Sequence, residues 1–202
     1  MSLKGRHIGF GITGSHCTYS QVVPQIEKLV DAGCSVSVFV THTVKTTDTR
    51  FGKASDWIAK VEEISGHKVV DSIVDAEPYG PRKPLDCMVI APLTGNSMSK
   101  FANAQTDSPV LMAAKATLRN GNPVVLGVST NDGLGLNLQN IAKLIVAKNI
   151  YFIPFGQDDP VNKPNSLVSH MYLLTDTVEA AVDGKQMQPI LLEKKQRINN
   201  RT

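Results

Sequence analysis

The chain has 202 residues, enough for one α/β domain with a substantial core. Its formal net charge of +3 comes from the last ten residues, which carry four positive charges and one negative, so the remainder sums to zero and offers no basic stripe for a nucleic-acid backbone. Three widely spaced cysteines form neither a C-x-x-C pair nor a disulfide framework, and the apolar run near the N-terminus is too short for a signal peptide or a membrane span. A cytoplasmic protein is expected, with one domain over residues 1–192 and a basic, flexible tail over 193–202.

In chain order, "RHIGFGIT" is predicted as a short first strand. A helix follows, with Val22, Val23, Ile26, Leu29 and Val30 on one face and Gly33 as its stop signal. "SVSVFV" (35–40) is a β-branched second strand, residues 54–65 form a helix presenting Trp57, Ile58, Val61 and Ile64, and "HKVVDSIV" is a third strand. The Pro-rich "AEPYGPRKP" reads as loop. "DCMVIA" (86–91) is a buried strand ending at Pro92, and Ser97 is placed to cap the helical segment after it. "NPVVLGVS" (122–129) is another strand, and a helix follows from about Gly135 to Lys148. "IYFIPFG" (150–156) is the last clear strand, and "FGQDDP" reads as a turn. "DDPVNKPNSLVSHM" is extended and reaches over a neighbouring subunit or closes a pocket. A final amphipathic helix lies between Tyr172 and Val182. This alternation predicts a doubly wound parallel sheet in three α/β/α layers, with ligands at the carboxyl ends of the strands.

"GFGITG" matches the dinucleotide fingerprint G-x-G-x-x-G at Gly9, Gly11 and Gly14, but its context does not. Only "LKGRHI" precedes Gly9, too little apolar chain for the strand that the fingerprint requires. With the strand moved to 7–13, Gly9 and Gly11 fall inside it on one face, where absent side chains permit close packing, and only Gly14 remains at the turn. The second strand ends in Thr41, His42 and Thr43 rather than an acid for a ribose diol. "TGS" (13–15) still suits an anion, through outward backbone N–H groups and the Ser15 hydroxyl; a plain turn with an N-cap serine explains it equally.

"APLTGNS" (91–97) crowds Thr94, Asn96 and Ser97 at the mouth of the sheet, more polar groups than a strand exit needs. "STNDGLG" (129–135) adds Ser129, Thr130, Asn131 and Asp132. Asp132 either caps the next helix or acts as a general acid or base. Asn131 either orients a substrate carboxylate or belongs to an Asn-Asp-Gly turn. His16, His42 and Cys17 have no third ligand spaced to match, so no metal is expected.

The "TGS" turn and "DCMVIAPLTGNS" resemble the FMN-containing Cys decarboxylase-like flavoproteins over roughly residues 6–150. The resemblance implies a Rossmann-like flavoprotein fold assembled as trimers or larger homo-oligomers, with FMN as cofactor. By position it makes Gly14, Ser15 and Thr41 phosphate contacts and lays Thr94, Gly95, Asn96 and Ser97 against the flavin; Ser129 joins the cofactor-binding set. The family's Met-Asn motif after the fifth strand is replaced here by Val128-Ser129-Thr130-Asn131-Asp132-Gly133, which puts decarboxylation in doubt. "VSTNDGLGLNLQNI" and "KNIYFIPFGQDDPVNKPNSL" are similar to a branch of the family that serves as one subunit of an oxidoreductase. That likeness implies a partner A subunit using NADP, a small dicarboxylate substrate, and oxidation of a hydroxylated tetrahydropyridine ring to an aromatic one during sporulation, with Asp132 and Asn131 as candidate catalytic residues. A free-standing FMN-dependent decarboxylase and a non-catalytic partner subunit remain as alternatives.

Overall fold

The computed structural model describes residues 2–193; the predicted basic tail lies, from residue 194 on, outside the described residues. Strands β1 (His7–Ile12), β2 (Ser35–Val40), β3 (Cys87–Leu93), β4 (Val124–Thr130) and β5 (Ile150–Phe152) pair parallel in the order β2–β1–β3–β4–β5. Successive side chains point to opposite faces of a strand, so each strand feeds two cores. Ile8, Phe10 and Ile12 of β1, with Cys87, Val89 and Ala91 of β3, pack under α1 (Tyr19–Asp31), α3 (Ala54–Ser65) and α8 (Leu174–Val182). Met88 and Ile90, with Leu126 and Val128 of β4, pack under α5 (Gly95–Ala102), α6 (Pro109–Arg119) and α7 (Leu138–Ile145). Short helices α2 (His42–Thr46) and α4 (Ile73–Ala76) complete the order. The three-layer α/β fold is the expected one.

The carboxyl end of the sheet differs from a pure parallel array. After β5 the chain turns at Ile153 and Pro154 and forms an antiparallel hairpin, β6 (Phe155–Asp159) and β7 (Lys163–Ser169). "IYFIPFG" is therefore two strands, and the turn expected in "FGQDDP" comes later, where the Asp159 carboxylate accepts the N–H groups of Val161 and Asn162. β4 shares its edge: Val124–Leu126 pair with β5, while Ser129 and Thr130 pair antiparallel with β7. The Val128 N–H falls between these two partners and donates to the Ser169 hydroxyl at 2.8 Å, which itself donates to the Ile153 carbonyl. That amide is therefore not orphaned where the sheet changes direction.

Other departures have local causes. "HKVVDSIV" touches the sheet only by a bridge between Val70 and Phe39, because Ser72 caps α4 by accepting the Asp75 N–H and so ends extension there. The Pro-rich loop contains a 3-10 turn over Glu77–Tyr79. β3 runs through Pro92 to Leu93, and its pairing with β4 skips from Ile90 to Leu93 across the residue that has no N–H to give. The helix after β4 starts at Leu138 rather than Gly135, since the Asp132 carbonyl gathers the Gly135 and Asn137 N–H groups into turns.

The glycine question has a structural answer. A Cβ on Gly9 would lie 2.5 Å from Leu85 and 2.7 Å from the Met88 sulfur, and one on Gly11 would lie 2.6 Å from Val110 of α6. Both are packing glycines inside β1. Gly11→Ala should therefore lower the unfolding free energy by about 1–3 kcal/mol, the usual cost of overpacking. Urea denaturation reads this directly, and a variant as stable as the parent would contradict it.

Candidate functional site

The strand order reverses between β1 and β3, because the chain leaves β1 toward β2 on one side and reaches β3 on the other; a crevice opens at such a point. Thr13, fully buried at the end of β1, ties the two strand exits together. Its hydroxyl donates to the Pro92 carbonyl at 2.6 Å and accepts the Thr94 N–H at 2.9 Å. Its carbonyl accepts the Tyr19 hydroxyl at 3.1 Å. The "TGS" turn and the loop after Pro92 are thus direct neighbours. Thr94, rather than Ser97, caps α5, its hydroxyl accepting the Ser97 N–H.

Two cavities flank this junction, and Gly14 and Thr94 line both. The smaller, about 460 Å³, is lined also by Thr41, His42, Thr43, Asn96, Ser97 and Ser108. The Thr41 hydroxyl oxygen is buried there with no hydrogen-bond partner, a state that normally signals a missing ligand or water. A Cβ on Gly14 would sit 3.3 Å from the Thr43 methyl, a close contact that glycine avoids. Asp71 and Asp107 on its wall are each held by a lysine, Lys45 and Lys100.

The larger cavity, about 1210 Å³ and open to solvent, runs past Ser15, His16, Cys17, Gly95, Ser129 and Asn131 to the hairpin strand β7. Ser15 does not cap a helix with its side chain; its hydroxyl instead meets that of Ser129 at 2.7 Å across the cavity floor. Burial lowers the pKa of His16 below its ordinary 6.5, so its imidazole is neutral near pH 7. Cys17 is a free, exposed thiol at this cavity, whereas Cys34 and Cys87 are buried and burial pushes both thiols up. His16 and His42 line different cavities, and among the described residues no three His, Cys, Asp or Glu side chains gather for a metal.

Asp132 lines neither of these cavities. Its carboxylate accepts the Thr130 hydroxyl at 2.5 Å and the Asn137 amide at 2.9 and 2.8 Å, and Asn137 in turn accepts the Asn140 amide. Gly95 lies on this knot: a Cβ there would meet Asn137 at 2.5 Å, Thr130 at 2.7 Å and Asp132 at 2.9 Å. The knot therefore sets how closely the start of α5 approaches the end of β4.

The Flavoprotein family's sequence profile matches residues 1–182. The chain belongs to that family. It is 65% identical over 192 residues to the B subunit of dipicolinate synthase of Bacillus subtilis (strain 168), covering 95% of this chain and 96% of that protein. The crystal structure of the dipicolinate synthase B subunit from Bacillus halodurans superposes with a TM-score of 0.89 at 65% identity, covering 96% of this chain and all of that one. The FMN-dependent cysteine decarboxylase SpaF shares the fold at a TM-score of 0.66 and 16% identity, over 90% of this chain and 98% of that one. Family membership supports a flavin as the cofactor class, and the residues present suit one: an unpaired buried hydroxyl at Thr41, a glycine cradle at Gly14, and hydroxyl and amide groups from Thr94 to Ser97.

Every sequence-expected cofactor residue lines one cavity or the other: Thr41, Asn96 and Ser97 the smaller, Ser15, Gly95 and Ser129 the larger, Gly14 and Thr94 both. Of the candidate catalytic pair, Asn131 reaches the larger cavity and Asp132 turns to Asn137. Thr13, Asn137 and β7 lie in segments the sequence singles out, but Thr13 as a stitch, Asn137 as a partner and β7 as a paired wall are not legible there, because each depends on pairings 36 or more residues apart or on buried amide geometry. Asp132→Asn would set one amide donor against another. It should lower stability by about 1–3 kcal/mol through the unmatched donors, with reduced flavin affinity as a consequence. A variant equally stable but catalytically dead would instead mark Asp132 as an acid–base group.

Proposed function

We propose that this chain is the B subunit of a dipicolinate synthase, a cytoplasmic, FMN-binding protein that works with an A subunit using NADP. Together they would oxidise a hydroxy-tetrahydrodipicolinate to dipicolinate during sporulation. The observation that carries this reading is the 65% identity to the Bacillus subtilis protein across 95% of the chain, a span that includes both site loops and the β6–β7 hairpin.

The residues divide the work in this proposal. The Gly14 N–H and the free Thr41 hydroxyl take the phosphate of FMN, as strand-to-helix turns commonly take anions. Thr94, Gly95, Asn96 and Ser97 line the ring, and Ser129 closes its side through Ser15. When bound, FMN supplies a ring able to accept or return a hydride. Asn131 faces the larger cavity and orients a substrate carboxylate, while Asp132 serves by holding the end of β4 to the start of α7. Exposed Leu134, Leu136 and Leu138 beside this loop suit burial in an assembly, whether between copies of the chain or against its synthase partner.

The test is a flavin titration joined to a turnover assay. Purified chain should bind FMN with a shifted visible spectrum, and Thr41→Val should weaken binding about tenfold, the loss of one charge-assisted hydrogen bond. NADP-dependent formation of dipicolinate should require this chain and its NADP-using partner together. Full activity of that partner by itself would remove this chain from the reaction.

A further inference from the structure

We infer that the larger cavity is the substrate's own site on this chain, with Arg50 as the cation that recognises one carboxylate of a ring acid bearing two. The inference rests on the synthase reading above and adds where the acid binds. Arg50 lines the cavity at the tip of a tight turn in which Thr49 and Gly52 exchange backbone hydrogen bonds at 3.1 Å each way. The Phe51 N–H donates to the Thr49 hydroxyl, and the Asp48 carboxylate accepts the Ala54 N–H, so the turn is fixed to the start of α3. The Arg50 guanidinium carbon sits 4.9 Å from the centre of the Phe51 ring, and no carboxylate pairs with it among the described residues.

The charges around it decide the ligand. Lys163, the other permanent cation on this cavity, is held at 3.2 Å by Asp158. His16 is neutral near pH 7. Arg50 is thus the one uncompensated permanent charge lining the cavity among the described residues, and its planar fork matches a carboxylate in two parallel hydrogen bonds. A phosphate is the rival anion. The orphaned Thr41 hydroxyl places that group's needs in the smaller cavity, which Arg50 does not line; Gly14 borders both cavities. The Asn131 amide shares the larger cavity and supplies a neutral donor for the rest of the acid.

The experiment titrates pyridine-2,6-dicarboxylate into the isolated FMN-loaded chain, comparing the parent with Arg50→Gln and Arg50→Lys. The parent should bind the diacid. Arg50→Gln should weaken binding about tenfold or more, Arg50→Lys should restore part of it, and FMN affinity should stay within about twofold. In the reconstituted two-component synthase, Arg50→Gln should raise KM with little change in kcat, the mark of lost ground-state binding. No binding of the diacid to the parent chain overturns the inference, as does a glutamine variant that binds it equally well. A variant that loses FMN and keeps the diacid assigns Arg50 to the phosphate instead. A reconstituted pair that makes no product contradicts the synthase reading, while the diacid titration still decides the site.

Discussion

The site depends on one buried hydroxyl. Thr13 stands where β1 ends, and by donating to Pro92 and accepting from Thr94 it locks the exits of β1 and β3 to each other. Each such buried bond contributes about 1 kcal/mol net, but breaking one leaves an unsatisfied group that costs more. The energetic share is modest beside a core of two layers. Its effect is geometric: the turn at Gly14 and the loop at Thr94 become the two lips of one crevice, and both cavities open from it.

The polar knot of Thr130, Asp132 and Asn137 does the same task on the other side of α5. Satisfied polar networks specify one arrangement of the elements they join; this part-buried one joins the end of β4 to the start of α7, and Gly95 at the start of α5 packs against it. The hairpin of β6 and β7 then walls the larger cavity, anchored at β4 by two residue pairs and by the Ser169 hydroxyl. The sheet thereby gains a second, larger cavity beside the one that Thr41 lines.

Much of this was legible from sequence where hydrophobic period and strand-end chemistry carry the signal. β1, β2, α1 and α3 follow from apolar spacing and glycine stops, and the reading of Gly9 and Gly11 as packing residues follows from their shared face. The hairpin did not, because "KPNSLVS" has a polar, exposed first half and apolar pattern only where Leu167 meets the core. "HKVVDSIV" misled in the opposite sense: its β-branched residues read as a strand, yet Val70 alone reaches the sheet before Ser72 turns the chain. At the site, residue types pointed to loops that line the two cavities. They could not separate Asn131, which reaches the cavity, from Asp132, whose partner Asn137 is set by the turn between them.

The central claim is that the Thr13 junction makes one mononucleotide crevice of the two loops. A crystal structure of the chain soaked with FMN tests it most directly. The account requires the phosphate within hydrogen-bond distance of the Thr41 hydroxyl and the Gly14 amide, with the ring against residues 94–97. A flavin phosphate seated at Arg50, or a flavin bound away from the Thr13 junction, would contradict it.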